Sequence, residues 1–303
     1  MVPGRLTAAI AIPYAFSACE NKVVLRKPAG GWRAVSDEWL KATSRTMKAA
    51  RVDPSVPSVA RVWNYLVGGR DNFEVDRQAA RQLIAAAPVM EHVAPASRAF
   101  LRRAVTYLAA EAGIRQFLDI GTGMPTAGNT HEVAQAVDPS SRIVYVDNDP
   151  AVLAHARAGL RSSAEGATSY LDADARDTKT IVAGACETLD FARPVGVIMI
   201  DILNFLEDAG DVLSRLAAEV PPGSYLVAMQ PMRDERLSVA ARRWNQLAPI
   251  PVILRDQDQV ARWFAGLELV DPGIVEVHQW RPAAGEPDYP GGMPLLGAVA
   301  RKP

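Results

Sequence analysis

Short apolar runs alternate with stretches of helical periodicity from about residue 113 to the C-terminus. Gln116–Ile120 and Arg142–Val146 read as buried strands. Between them lie a glycine-rich loop, Gly121–Gly128, and a helix-start signal, Asn129 with Glu132 three residues on, which is the pattern of a capping box. The alternation continues through a helix over 151–160, a strand at Thr168–Leu171 and an apolar strand at Val195–Ile200. A helix at Gly210–Glu219, a strand at Ser224–Met229 and helices at Arg236–Asn245 and Asp256–Ala265 follow. Two last strands, Glu268–Val270 and Leu295–Ala300, have no clear helix between them and are expected to pair antiparallel. Strands alternating with helices predict an α/β domain with a largely parallel sheet and right-handed crossovers.

Upstream the texture is helical. Ser58–Val67, Val75–Ala86 and Ser97–Ala112 read as helices, with Phe100, Ala104 and Leu108 on one face of the third. Between the first two lies Trp63-Asn-Tyr-Leu-Val-Gly-Gly-Arg-Asp-Asn-Phe73, at once aromatic, glycine-rich and charged. It reads either as a helix stop at Gly68 with packed aromatics, or as a lid that turns Tyr65, Arg70 and Asn72 towards a ligand. Residues 20–57 offer at most one helix, Asp37–Ala49. The apolar run Leu6–Cys19 is interrupted by Pro13 and too short to span a bilayer, so it reads as an extension, with Met47 a plausible start. The expected organisation is an N-terminal extension (1–54), a helical cap (55–112) and a ligand-binding α/β domain (113–303).

Composition narrows the function. A chain of 303 residues that is 49% hydrophobic can bury a sizeable core. A net charge of −1 without a basic block argues against a nucleic-acid partner. Two cysteines, Cys19 and Cys186, are too few for a disulfide framework or a zinc site and fit a cytoplasmic protein. His131 and His155 fall on helices and read as surface residues; neither they nor His92 and His278 belong to a metal or triad spacing.

The chemistry concentrates at 116–149. Strand, glycine turn, helix, strand and a terminal acid, Asp147, describe a βαβ unit that holds a nucleoside. Glycine at 121 and 123 lets the backbone approach a ligand, and Asp147 can accept both hydroxyls of a ribose diol. The rival role for Asp147 is to cap a helix starting at Pro150. A dinucleotide site wants a third glycine where Thr126 stands. Asp119 ahead of Gly121 and Gly123 instead makes Asp-x-Gly-x-Gly, which resembles the first motif of S-adenosylmethionine (SAM) dependent methyltransferases.

Longer stretches sharpen that likeness. GTGMPTAGNTHEVAQAV and VYVDNDP, within Phe117–Asp149 and just beyond, resemble the actinobacterial S-adenosyl methyltransferase family once catalogued as a domain of unknown function. Pro57–Phe73, Arg98–Arg103, Pro222–Leu226 and Gly266–Gly273 resemble it as well, so that the likeness covers about residues 55–303. It implies a Rossmann-like class I methyltransferase with a seven-stranded, mostly parallel sheet, an antiparallel terminal strand and SAM as cofactor. By resemblance, Asp119, Gly121 and Gly123 contact the methionine end of SAM. Asp147 takes the ribose diol, Asn148 lies beside the adenine, Asp174 accepts from its amino group, and the Ala175 N–H faces a ring nitrogen. Asp201, after the fourth apolar strand, holds the SAM ammonium or acts on the nucleophile. Tyr65, Trp63 or Phe73 is placed to face the sulfonium, and Tyr65, Arg70 and Asn72 complete the set. The family often carries Leu-His-Phe where Leu203-Asn204-Phe205 stands here, so no histidine base is expected. That leaves Asp201, Asn204 and Tyr65 as catalytic candidates. The expected acceptor is a small molecule methylated on oxygen or nitrogen, with no membrane partner and no metal. A non-catalytic SAM-binding protein and, behind it, an NAD(P)-dependent oxidoreductase are the alternatives.

Overall fold

The computed structural model describes residues 52–159 and 161–303. The expected helix at 37–49 and the start at Met47 lie outside the described residues, as does the last position of the helix at 151–160. The strands are β1 Gln116–Ile120, β2 Arg142–Asp147, β3 Ala167–Asp172, β4 Gly196–Met199, β5 Tyr225–Pro231, β6 Glu268–Leu269, β7 Val275–Glu276 and β8 Leu295–Arg301. They form one sheet in the order β3-β2-β1-β4-β5-β8-β6, with β7 paired to β8. The first five run parallel, and β8 is antiparallel to β5, β6 and β7. The seven expected strands make the continuous path. β7 was not expected, because two residues are too few to show alternation.

The helices are α1 Val59–Leu66, α2 Glu74–Ala86, α3 Met90–Ala110, α4 Thr130–Val137, α5 Pro150–Gly159, α6 Thr178–Ala185, α7 Ala209–Glu219, α8 Glu235–Leu247 and α9 Gln257–Ala261. Two differ from expectation. The helix expected from Ser97 begins at Met90 and carries Pro95 in its second turn, where burial of Met90, Val93, Ala94 and Ala96 offsets the missing N–H. α6 was not foreseen in a segment that carries two threonines and a glycine; Asp177 caps it by accepting the Thr180 N–H at 3.1 Å.

Both faces of the sheet's middle are covered, which is why β1, β2, β4 and β5 are largely apolar, whereas β3 at the edge is only half-buried. Phe117, Ile143, Tyr145, Ile198, Val227 and Val299 point to one face, where they pack with Phe100, Ala104 and Leu108 of α3 and with residues of α1, α2 and α8. Leu118, Val144, Val197, Met199, Leu226 and Ala298 point to the other, against α6, α7 and α9. This arrangement brings the carboxyl ends of β1 and β4 against α4, α3 and α1, whose Thr130, Ser97 and Trp63 bond to Asp119 and Asp201.

Candidate functional site

The strand order reverses between β1 and β4, and ligands in open α/β sheets bind outside the carboxyl ends at such a point. The parallel register sets Ile120 opposite Val146, so Gly121 and Asp147 leave the sheet side by side, and the Gly121 N–H donates to the Val146 carbonyl at 2.8 Å. Gly121 and Gly123 have φ of 75° and 64°, the left-handed region that glycine enters without penalty. The two positions differ in their surroundings. A Cβ at Gly121 would lie 2.5 Å from Cβ of Ile202, so packing alone requires glycine there; beside Gly123 nothing lies within 4 Å, and the loop there faces open space.

Asp147 is half-buried at the end of β2. Its Oδ2 accepts the Gly123 N–H at 2.9 Å and its Oδ1 the Asp149 N–H at 2.9 Å. Each oxygen keeps one lone pair, so the carboxylate can still accept two hydrogen bonds. Burial raises its pKa against those N–H donors. Capping of α5 falls to Asp149, which accepts the Ala151 N–H at 2.8 Å and the Ser58 hydroxyl at 2.7 Å. Asp147 is therefore free of the capping role.

Asp119, buried at the end of β1, accepts the Thr130 hydroxyl at 2.6 Å, and burial pushes its pKa up to about 6. The Glu132 carboxylate accepts the Asn129 N–H at 3.0 Å, which makes the expected capping contact at the start of α4. His131, expected at the surface, is buried: both its backbone N–H and its Nδ1 lie 2.8 Å from the Tyr145 hydroxyl. That hydroxyl ties α4 to β2 beneath the glycine loop.

Asp201 follows β4 at φ 60°, a conformation rare for any residue but glycine, asparagine and aspartate. It accepts the Trp63 indole N–H at 2.9 Å on Oδ2 and the Ser97 hydroxyl at 3.1 Å on Oδ1. Burial pushes its pKa up to about 7, against those two donors and the charge of Arg98. Arg98 had no expected role. Its guanidinium donates to the Gly128 carbonyl at 2.9 Å and lies within the fields of both Asp119 and Asp201. The sequence signal was present: Arg98 opens one of the stretches that carried the family likeness, and it sits one residue after Ser97 on α3.

Other expected residues are engaged in contacts of their own. Asn72 donates to Asn64 Oδ1 at 2.8 Å and to the Gly69 carbonyl at 3.0 Å, and so fastens its own loop. Tyr65 meets Arg81 of α2, Phe73 lies under the Arg61 guanidinium at 4.9 Å, and Arg70 is exposed. Of the three aromatics, Trp63 alone reaches Asp201. The structural reading of the segment, with Gly68 as helix stop at φ 80°, accounts for these contacts. Asp174 pairs with the exposed Arg176 at 2.6 Å, Ala175 is buried, and Asn148 is exposed beside Asp147. Asn204 is buried in a single 3-10 turn, Leu203–Phe205.

A family model described as S-adenosyl methyltransferase matches residues 45–303. The chain belongs to this S-adenosyl methyltransferase family. A solved DUF574-family protein from Streptomyces avermitilis is 41% identical, with a TM-score of 0.80 over 84% of this chain and 100% of that one. A putative methyltransferase from Thermobifida fusca is 37% identical, with a TM-score of 0.74 over 82% of this chain and 96% of that one. A search of curated proteins returned no match. The methyltransferase is thus a SAM-dependent enzyme with a Rossmann-like sheet, and the oxidoreductase alternative falls away. Among the described residues no helix of the methyltransferase is long and apolar enough to cross a membrane.

Proposed function

We propose that this methyltransferase acts on an O–H or N–H group of a small molecule, with Asp201 taking the proton. The observation that carries the reading is the state of Asp201. A carboxylate held in a left-handed turn at the strand end, with its pKa raised to about 7, is suited to proton transfer at neutral pH.

The donor set fits SAM. Thr126 Oγ1 in the glycine loop is buried without a partner, Gly123 faces open space, and Asp147 keeps two lone pairs for a diol. An amino-acid zwitterion needs one cationic and one anionic partner, and Arg98 between Asp119 and Asp201 supplies both signs. We assign Arg98 to the SAM carboxylate, Asp119 and the loop from Gly121 to Gly123 to the methionine end, and Asp147 to the ribose. Asn148 and the Ala175 N–H flank the adenine. Asp174 accepts from the adenine amino group once Arg176 swings off; that pair is exposed and of little net worth.

Bound SAM supplies a methyl carbon on a sulfonium, and its sulfur keeps the bonding electron pair when that bond breaks. The protein's share is alignment and removal of the acceptor's proton. Well-oriented reactants gain on the order of 7–11 kcal/mol. The Trp63 and Ser97 hydrogen bonds fix the Asp201 carboxylate while leaving a lone pair on each oxygen for the incoming proton. This reading carries a cytoplasmic location with it, where SAM is made. The test is turnover of radiolabelled SAM with a panel of neutral phenols and amines. Asp201→Asn should bind SAM as the parent does and turn over about 10²–10⁴ times more slowly. A mutant that loses SAM binding and turnover together would assign Asp201 to the SAM ammonium instead.

A further inference from the structure

On the face of the sheet that carries α6, α7 and α9 lies a polar cavity of about 470 Å³, within the range that holds a small molecule. It shares no lining residue with the cofactor site. Its polar wall is made by Asp211 and Ser214 of α7, Arg255 ahead of α9, Gln259 of α9, and Arg262 and Trp263 of the 3-10 turn Arg262–Phe264 that follows.

Arg255 is the unusual member. It is only 6% exposed, yet its terminal nitrogens meet no carboxylate. They donate to the carbonyls of Leu203 at 3.0 Å, Leu206 at 2.5 Å and Glu207 at 3.2 Å, and to Gln230 Oε1 at 3.1 Å. Its Nε–H has no partner among the described residues, and burial lowers its pKa with no acid opposing the shift. A buried cation without a counter-charge is costly, and a bound anion would supply one.

The rest of the wall is also rich in donors. Gln259 Oε1 accepts the Asp256 N–H at 3.0 Å, which leaves its amide N–H groups unspent. The Arg262 guanidinium, the Ser214 hydroxyl and the Trp263 indole N–H likewise have no partner among the described residues. The indole is held in place: the Arg255 guanidinium lies 5.3 Å from its ring centre, and a Cβ on Gly210 would come within 3.0 Å of its Cδ1. Against these donors stands one acid, Asp211, so the wall carries a surplus of positive charge. A bare phosphate, comparable to a few waters of about 30 Å³ each, would fill only part of the space.

We propose that this cavity is a second ligand site, which takes a phosphate monoester of hexose-phosphate size. The phosphate lies between Arg255 and Arg262, where charge-assisted hydrogen bonds to its oxygens are strongest. Asp211 accepts a hydroxyl of the sugar, and Ser214, Gln259 and the Trp263 N–H donate to the remaining oxygens. The site stands independently of the methyl-transfer reading.

The test is a calorimetric titration of the full chain at fixed ionic strength, saturated with S-adenosylhomocysteine (SAH) so that the cofactor pocket is occupied. The probes are glucose 6-phosphate, inorganic phosphate and glucose. The expected result is binding of glucose 6-phosphate, at least tenfold weaker binding of phosphate, and none of glucose. Arg262→Ala, at an exposed position, should weaken glucose 6-phosphate at least tenfold. Ser214→Trp, which fills the cavity from the exposed side of α7, should abolish its binding while SAH binds as before. Failure of glucose 6-phosphate to bind the parent overturns the site. Parental affinity in both variants places the anion elsewhere and overturns it as well. Phosphate as tight as glucose 6-phosphate overturns the sugar-phosphate class, and glucose as tight overturns the role of the arginines.

Discussion

At the scale of single residues, the site turns on carboxylates that the fold keeps away from water. Asp147, the half-buried member, is oriented by its two accepted N–H bonds, which leave one lone pair on each oxygen. Two charge-assisted hydrogen bonds to a diol are worth about 1.5–3 kcal/mol each, so Asp147→Ala should weaken SAM and SAH by at least about a hundredfold in a calorimetric titration. Unchanged affinity would remove Asp147 from the ribose site. Asp201 gives a kinetic signature. A base with a pKa of about 7 must be deprotonated to act, so kcat should rise tenfold per pH unit below about 7 and level off above it. Asp201→Asn should lose that limb, and a mutant that keeps it would place the titrating group elsewhere. The residue scale is also where the sequence was least informative. Asp119, Gly121, Gly123 and Asp147 could be read from motif spacing because one βαβ unit presents all of them. Arg98 could not: it comes from a helix far upstream, and only packing of α3 across the sheet end brings its charge to Asp119 and Asp201.

Elements show the same division. Strands β1, β2, β4 and β5 were legible because burial on both faces forces largely apolar runs, and β8 because it crosses the same core. The early start of α3 and the existence of α6 were not, since Pro95 and a segment with two threonines and a glycine look like breaks until packing overrides them. The loop after α1 looked functional for a related reason. Asp71 and Asn72 of the loop close it onto Asn64, and a knot beside it forms around one buried acid of α2, Asp76, which accepts Arg61 Nε of α1 at 2.7 Å, the Ser58 N–H at 3.0 Å and the Phe73 N–H at 2.8 Å. Asp76 is fully buried and Arg61 nearly so, and removing one partner leaves the other charge uncompensated. Asp76→Ala should therefore cost about 3–5 kcal/mol in denaturant unfolding. It should also loosen α1, and with it the Trp63 bond to Asp201. A loss below about 1 kcal/mol would mean that the knot is a surface feature rather than the fastening of α1.

For the molecule as a whole, the raised carboxylates link folding, pH and cofactor. Asp119 and Asp201 protonate near 6 and 7 in the folded chain and near 3.9 when unfolded. Between about pH 4 and 7 the folded state thus holds protons that the unfolded state has released, and this pair makes stability fall as pH rises. His131 opposes it below about 6.5, because burial lowers its pKa and the unfolded chain binds that proton more readily. Comparison with Asp201→Asn isolates the acid: the mutant should be more stable than the parent at pH 8, and the difference should vanish towards pH 4. Such a gain in stability with loss of turnover is the usual mark of an ionisable group kept for function. Cofactor binding runs the other way. With Asp119 assigned to the methionine end, its ionised form should favour the cationic cofactor, so SAM should bind more tightly, and raise the thermal midpoint more, at pH 7.5 than at pH 5.5. SAH lacks the sulfonium charge and should show the smaller change. If SAM and SAH gain equally between these pH values, Asp119 answers to the ammonium group that both ligands share. If neither gains, Asp119 does not face the cofactor, and its raised pKa belongs to the fold.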